Sequence, residues 1–164
     1  MAKPLIMIVE DEADVASEIS DTIKESGKYD AVIAYSAEEA FKLLEKNKRL
    51  FGKTKNKIRC IILDIKLPKM DGLDFLKELR TNYEESIGVI IVSAYEDPEK
   101  WNRALKNFVS GYILKPLKRE ELFEKIDCLF TSPSIEDAEA RLITETLDKG
   151  IKRIEKLAGN KGEE

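Results

Sequence analysis

The sequence predicts an α/β fold in which a five-stranded parallel sheet lies between two layers of helices, and two observations support it. Five short apolar runs recur along the chain, each bounded by polar or turn-forming residues. The segments between these runs are amphipathic and of helical length. Runs of Ile, Val and Leu suit strands buried on both faces, and strand-helix alternation requires right-handed crossovers in a parallel sheet. We therefore expect a three-layer sandwich.

The elements follow in order along the chain. The strands are predicted at residues 5–9, 31–35, 58–63, 89–92 and 112–114, in the sheet order 2-1-3-4-5. The helices are predicted at about residues 13–26, 37–48, 72–83, 97–108 and 118–130. The expected helix N-caps are Ser36, Asp71 and Asp97. Ligands of such sheets collect at the carboxyl ends of the strands, so the residues directly after each apolar run are the functional candidates.

The amino-acid composition of the chain excludes some classes of function. The chain has 164 residues, a net charge of -4 and 43% hydrophobic residues, which describe a mildly acidic protein with one ordinary core. It contains no histidine, which excludes Ser-His-Asp triads and His-based zinc sites. Cys60 and Cys128 lie in separate apolar runs as buried hydrophobes do, and the alternative is a metal or redox pair. No signal peptide or membrane-spanning run is found, so we expect a cytoplasmic protein.

Two segments lie outside the strand-helix alternation. Residues 46–59 hold seven basic residues and no acidic one, which indicates either a solvated loop or a nucleic-acid patch. The tail predicts a long amphipathic helix from Ser134 to about Gly159. Its apolar stripe consists of Ala140, Ile143, Leu147, Ile151, Ile154 and Ala158. We therefore expect a domain over residues 1–131 and a C-terminal helical extension over residues 132–164, whose stripe either docks on the domain or pairs with a second chain or a partner.

Polar side chains follow four of the predicted strands. They are Glu10 and Asp11 after the first strand, Asp64 after the third, Ser93 after the fourth, and Lys115 with Pro116 after the fifth. In the predicted strand order these ends converge on one edge of the sheet. Three carboxylates, a hydroxyl and an ammonium group are therefore expected in one pocket.

Such a pocket suits a metal ion and a phosphoryl group. Carboxylates crowded together without His or Cys form a hard oxygen site, and Mg²⁺ is the cation that joins one or two carboxylates to a phosphoryl group. The ion would cancel the repulsion between the carboxylates, and Lys115 would add a fixed positive charge. Asp64 can then accept a phosphoryl group directly as an aspartyl-phosphate, while Ser93 could donate a hydrogen bond to it.

Four motifs occur in order and with a suitable spacing over about residues 3–130. They are IMIVEDEADV, CIILDIKLPKMDGLDFLKELR, VIIVSAYED and GYILKPLKREEL. Together they resemble the receiver domain of two-component response regulators, and in particular the chemotaxis-regulator-like single-domain receivers. The resemblance implies a flavodoxin-like fold. It also implies phosphorylation of Asp64 by a histidine kinase or a phosphotransfer protein.

The resemblance assigns the metal ligands. Glu10 and Asp11 match the acidic pair that holds Mg²⁺, directly or through water, and Asp64 matches the phosphoacceptor beside them. The backbone carbonyl of Lys66 is a further ligand in this scheme. Glu10 replaces the more common aspartate of the pair, which keeps the charge but changes the water shell of the metal.

The resemblance also assigns the phosphoryl-binding and switch residues. Lys115 matches the lysine that contacts the phosphoryl group, and Ser93 the hydroxyl that moves to bind it. Tyr112 matches an aromatic that turns inward when the hydroxyl moves, although an ordinary half-buried strand aromatic is the alternative. Pro116 matches a proline that usually follows a cis peptide.

Three functional hypotheses follow. The first is a stand-alone response regulator that signals to a downstream protein target by contact, because the tail contains no DNA-binding motif, with a homodimer through the C-terminal helix as one possibility. The second is a Mg²⁺-dependent phosphohydrolase of the haloacid-dehalogenase type, which needs a second acid where this chain has Lys66. The third is a phosphorylation-independent scaffold with the receiver fold. We favour the first, with at most self-phosphorylation and autodephosphorylation as activity.

Overall fold

A computed structural model describes residues 2–48, 56–83, 87–94, 97–107, 109–132 and 134–159. Residues 49–55 of the basic segment lie outside these ranges, so both interpretations of that segment stay predictions. None of the helices in the described ranges combines the length and the low charge that crossing a bilayer requires.

Five parallel strands form one sheet in the order β2-β1-β3-β4-β5, as predicted. The strands are β1 (Leu5–Val9), β2 (Asp30–Ala34), β3 (Ile58–Asp64), β4 (Gly88–Ser93) and β5 (Gly111–Leu114). Their bounds differ from the prediction by at most one residue at either end. One of these differences matters for function, because Asp64 and Ser93 are the last residues of their strands rather than loop residues. The strand ladder therefore fixes the backbone of both.

Within the described residues, six helices accompany the sheet. They are α1 (Ala13–Glu25), α2 (Ala37–Lys46), α3 (Gly72–Asn82), α4 (Pro98–Lys106), α5 (Arg119–Thr131) and α6 (Ile135–Gly159). The three predicted N-caps are confirmed: the side chain of Ser36 accepts a hydrogen bond from an amide three residues on, and those of Asp71 and Asp97 accept one from an amide two residues on. These caps fix where the helices begin beside the carboxyl ends of the strands.

The sheet separates two apolar cores. One core lies between the sheet and α2, α3 and α4, and the other lies between the sheet and α1 and α5. Alternate residues of β3 point to opposite cores, Ile61 to the first and Cys60 to the second. Cys60 is fully buried and Cys128 half-buried, and both thiols are free. The structure therefore confirms that Cys60 acts as a buried hydrophobe.

Helix α6 packs against its own domain. Ser134 caps its first turn by accepting a hydrogen bond from the amide of Asp137, and the helix continues through Gly150 without a break. It contacts α5 and β5. Of the stripe residues whose side chains are described, Ile143 is half-buried while Ala140, Leu147 and Ile151 are exposed. Of the two alternatives for the stripe, docking on the domain is therefore not what the structure shows at those three positions.

Candidate functional site

The carboxylates predicted to form the site do lie together. Glu10, Asp11 and Asp64 each offer one oxygen, and these atoms lie within 4.8 Å of one another. Glu10 directly follows β1, and its amide still donates to the carbonyl of Ala34 in β2 at 3.1 Å. Asp64 ends β3, which is the other neighbour of β1 in the sheet. Adjacent parallel strands thus bring together acids that are more than fifty positions apart in sequence.

The three carboxylates differ in burial. Only 2% of Glu10 and 7% of Asp64 are exposed, whereas Asp11 is open to solvent. Backbone amides hold the two buried groups: Glu12 N donates to Glu10 Oε1 at 3.1 Å, and Lys66 N donates to Asp64 Oδ1 at 3.2 Å. Sequence reasoning did not predict these two amides, because any residue type can supply a backbone N–H.

Lys115 completes the cluster from the far side. Its Nζ lies 3.2 Å from Glu10 Oε2 and 3.4 Å from Asp64 Oδ2. Lys115 directly follows β5, and its amide donates to the carbonyl of Ser93 at 2.8 Å, so the end of β4 fixes its backbone. The peptide bond between Lys115 and Pro116 is cis, as the resemblance implied.

The electrostatics of the cluster follow from burial and proximity. Burial raises the pKa of Glu10 from 4.5 to about 7, and the neighbouring Asp64 adds to the rise, against the opposing effects of the Glu12 amide and the Lys115 ammonium. Burial by itself lowers the pKa of Lys115, but Asp64 and Glu10 outweigh it and the pKa of Lys115 is raised above 10.5. Lys115 therefore stays charged at neutral pH, whereas Glu10 is present in both its protonated and its ionised form.

The remaining predicted site residues are Ser93, Tyr112 and Lys66. Ser93 is buried at the end of β4, one position beyond the residue that pairs with Asp64. Tyr112 on β5 is buried in the core shared with α2, α3 and α4, rather than half-buried at the surface. The side chain of Lys66 is exposed. The roles of Ser93 and Tyr112 as switch residues and of the Lys66 carbonyl as a ligand stay predictions.

The loop between β3 and α3 packs closely against the backbone of Asp64. The amide of Gly72 donates to the carbonyl of Ile65 at 2.7 Å. A Cβ at position 72 would lie 2.4 Å from the carbonyl oxygen of Asp64 and 2.8 Å from Cα of Ile65, so only glycine fits there. Lys69 in the same loop has φ 67°, a conformation that the sequence did not signal because glycine or asparagine usually adopts it.

The donor set fits Mg²⁺. The three clustered side-chain ligand atoms are carboxylate oxygens, which this hard cation prefers. Opposite ligands of an octahedral Mg²⁺ ion lie about 4.2 Å apart, since each lies at about 2.1 Å from the ion. The separations of up to 4.8 Å are only slightly wider, so a small shift would let the three carboxylates share one ion, with waters as its remaining ligands.

Comparison with known proteins agrees with this geometry. The sequence profile described as the response regulator receiver domain matches residues 6–127. A chemotaxis protein CheY homolog from Campylobacter jejuni is 28% identical over 134 residues, covering 81% of this chain and 97% of that protein. The two-component response regulator ARR10 from Arabidopsis thaliana is 30% identical over 112 residues, covering 68% of this chain but only 19% of that protein.

A solved structure agrees as well. The CheY-like receiver domain protein from Methanospirillum hungatei superposes with a TM-score of 0.68 at 25% identity, covering 86% of this chain and 99% of that one. It confirms the expected flavodoxin-like fold. The profile match covers most of the chain, and proteins of this family act in signalling. The chain belongs to the family of response regulator receiver domains of two-component systems.

Proposed function

We propose that this protein is a phosphorylation-activated response regulator that accepts a phosphoryl group on Asp64 from a histidine kinase or a phosphotransfer protein. The observation that supports it most is the contact of the Lys115 ammonium with both Glu10 and Asp64. A scaffold that only binds partners gains nothing from burying two carboxylates against one ammonium, because desolvating them costs free energy.

In the proposed transfer, the bond between phosphorus and the donor's imidazole nitrogen breaks while a bond from phosphorus to a carboxylate oxygen of Asp64 forms. The imidazole leaves with the electron pair of the broken bond. Glu10, Asp11 and Asp64 would hold Mg²⁺, with the Lys66 carbonyl as a further ligand. When bound, the ion supplies positive charge to the transferring oxygens. Lys115 supplies a second positive charge that needs no rearrangement, since it already touches Asp64.

The proposed switch follows from the added charge. A phosphoryl group at Asp64 carries about -1.5 to -2 charges at neutral pH, which attracts Lys115 and gives the hydroxyl of Ser93 a new acceptor. Ser93 and Tyr112 are the proposed moving residues, and they lie on the neighbouring strands β4 and β5. Biasing a receiver between two states takes only a few kcal/mol. The signal would pass by protein contact to a downstream target or to a second copy of the chain, in the cytoplasm.

Phosphorylation with a small donor tests this proposal. The protein is incubated with acetyl phosphate and Mg²⁺, and its intact mass is measured. We expect an adduct of one phosphoryl group in the wild type, none in Asp64→Asn, and none when EDTA replaces the metal. Asp74→Asn is the matched control, because Asp74 is an exposed acid on α3 outside the cluster. An adduct that survives Asp64→Asn, or its absence in the wild type, would refute the proposal.

A further inference from the structure

Helix α6 leaves its domain halfway along its length. Glu145 is half-buried, and its Oε2 lies 4.0 Å from Nζ of Lys125 on α5, so this side of the helix faces the domain. From Leu147 to Lys156, every residue whose side chain is described is exposed. The second half of α6 therefore projects from the domain. An isolated helix of about 12–15 residues is marginal in water, so a projecting segment of this length gains stability from a partner.

The apolar stripe becomes exposed where α6 leaves the domain, since Ile143 is half-buried whereas Leu147 and Ile151 are exposed. Successive residues of a helix turn by about 100°, which places Leu147 about 200° and Ile151 about 240° around the axis from Glu145. These two side chains are 43% and 53% exposed. A second helix can therefore lie along the stripe while α6 stays docked on α5.

Four of the other five stripe residues are placed symmetrically about Leu147. Ile143 and Ile151 lie four positions to either side of it, and Ala140 and Ile154 lie seven positions to either side. If two copies of α6 pair antiparallel about a twofold axis at Leu147, each of these positions faces an apolar position of the other copy. A partner of unrelated sequence would not require such symmetry, so the pattern favours a second copy of this chain.

The charges of α6 favour the same arrangement. Residues 135–146 contain four acidic residues and one basic residue, whereas residues 147–159 contain four basic residues and two acidic ones. Antiparallel pairing places the acidic half of one helix beside the basic half of the other. Parallel pairing would place like charges side by side, which costs free energy.

We infer that α6 forms a homodimer interface in which two copies of the helix pair antiparallel about Leu147, each still docked on its own α5. The dimer goes beyond the proposed phosphoryl transfer and does not depend on it. Its domains lie at opposite ends of the helix pair, because each domain contacts the first half of its own α6 while the second half projects.

Sedimentation equilibrium of the full chain tests the interface from about 1 µM to about 1 mM, a range that detects even a weak Kd. We expect a concentration-dependent dimer that becomes at least tenfold weaker in the double variant Leu147→Gln with Ile151→Gln. The matched control is Arg141→Lys with Lys152→Arg, which changes two exposed side chains away from the stripe, keeps the charge of each half of α6 and should dimerise like the wild type. A wild type that stays monomeric throughout, or a dimer unaffected by the stripe variant, would overturn the inference.

Cross-linking tests the direction of pairing. Ala140→Cys and Ile154→Cys are prepared separately in a Cys128→Ser background, since Cys60 is fully buried. Antiparallel pairing predicts a disulfide-linked dimer on mild oxidation of the mixture but not of either variant alone. Cross-links within each single variant, and none that require mixing, would indicate parallel helices and contradict the proposed geometry.

Discussion

The Nζ atom of Lys115 lies 3.2 Å from Oε2 of Glu10, although the two residues are 105 positions apart in the chain. The contact joins the ends of β1 and β5, which are not neighbours in the sheet. One ammonium group therefore neutralises a carboxylate that is almost completely buried, and the same ammonium contacts Asp64. The charge balance of the site depends on this arrangement.

Removing the ammonium should strengthen metal binding. In Lys115→Met the carboxylates lose a positive charge that competes with Mg²⁺, so we expect Mg²⁺ affinity to rise by roughly tenfold, or about 1.4 kcal/mol. Phosphorylation of Asp64 by acetyl phosphate should be slowed in the same variant, because the charge that stabilises the transferred group is missing. Isothermal titration with Mg²⁺ measures the first effect, and Lys118→Met, which removes an exposed lysine before α5, is the control. Weaker Mg²⁺ binding in Lys115→Met would contradict this account.

Mg²⁺ binding should depend on pH through Glu10. In the metal-free protein the pKa of Glu10 is about 7, so below that pH the carboxyl is protonated and Mg²⁺ must displace the proton. We expect the Kd for Mg²⁺ to rise about tenfold for each pH unit below 7 and to level off above it. Titrations at several pH values in the wild type and in Glu10→Gln measure the effect.

The Glu10→Gln variant should bind Mg²⁺ more weakly and lose the pH dependence near 7. Glu120→Gln on α5 provides the control, because Glu120 is exposed and lies outside the carboxylate cluster. A steep pH dependence that persists in Glu10→Gln would show that another group takes up the proton.

Position 72 should tolerate only glycine. In Gly72→Ala the new methyl group meets the backbone of Asp64 and Ile65, which cannot move without disturbing β3, so we expect a loss of about 2–3 kcal/mol in the free energy of unfolding. Urea denaturation measures it. Gly27→Ala is the matched control: Gly27 has φ 71°, but a methyl group at this position would meet nothing within 4 Å, so the loss should be only about 1 kcal/mol. Equal losses in the two variants would exclude a steric cause.

The side chain of Lys125 should stabilise the fold through its packing rather than through its charge. Its side chain is almost completely buried beneath α6, and its described ion-pair partner is the half-exposed Glu145 at 4.0 Å. Lys125→Met keeps the packing and removes the buried charge, so we expect unfolding free energy to be unchanged or raised by about 1 kcal/mol. Glu145→Gln should cost about 1 kcal/mol in the wild type and nothing in Lys125→Met. Urea denaturation of the wild type, the two single variants and the double variant measures this double-mutant cycle. A fall in the unfolding free energy of Lys125→Met as large as that caused by truncating a core residue would contradict the prediction.

The sequence predicted most of what depends on local pattern. The strands were found because each is a compact apolar run, and the caps at Ser36, Asp71 and Asp97 because capping involves only the next two or three residues. The meeting of Glu10, Asp64 and Lys115 followed from strand order. Each of these features follows from the local pattern of residues along the chain or from the order of the strands in the sheet.

What the sequence did not predict depends on tertiary contacts. The sequence left open whether the apolar stripe of α6 docks on the domain. Leu147 and Ile151 are exposed, because which side of a helix is covered depends on the elements packed beside it. The hydrogen bonds from the amides of Glu12 and Lys66 to the carboxylates cannot be predicted from residue type, because they come from the backbone. The positive φ of Lys69 likewise cannot be inferred from a lysine.

Strand β5 ends the sheet on one side, and α6 contacts it. On one side of an edge strand, the backbone N–H and C=O groups have no neighbouring strand to bond. Such edges can pair with strands of other molecules. The contact of α6 with β5 is therefore expected to shield this edge from other molecules. A chain shortened after α5 is expected to be less soluble for this reason.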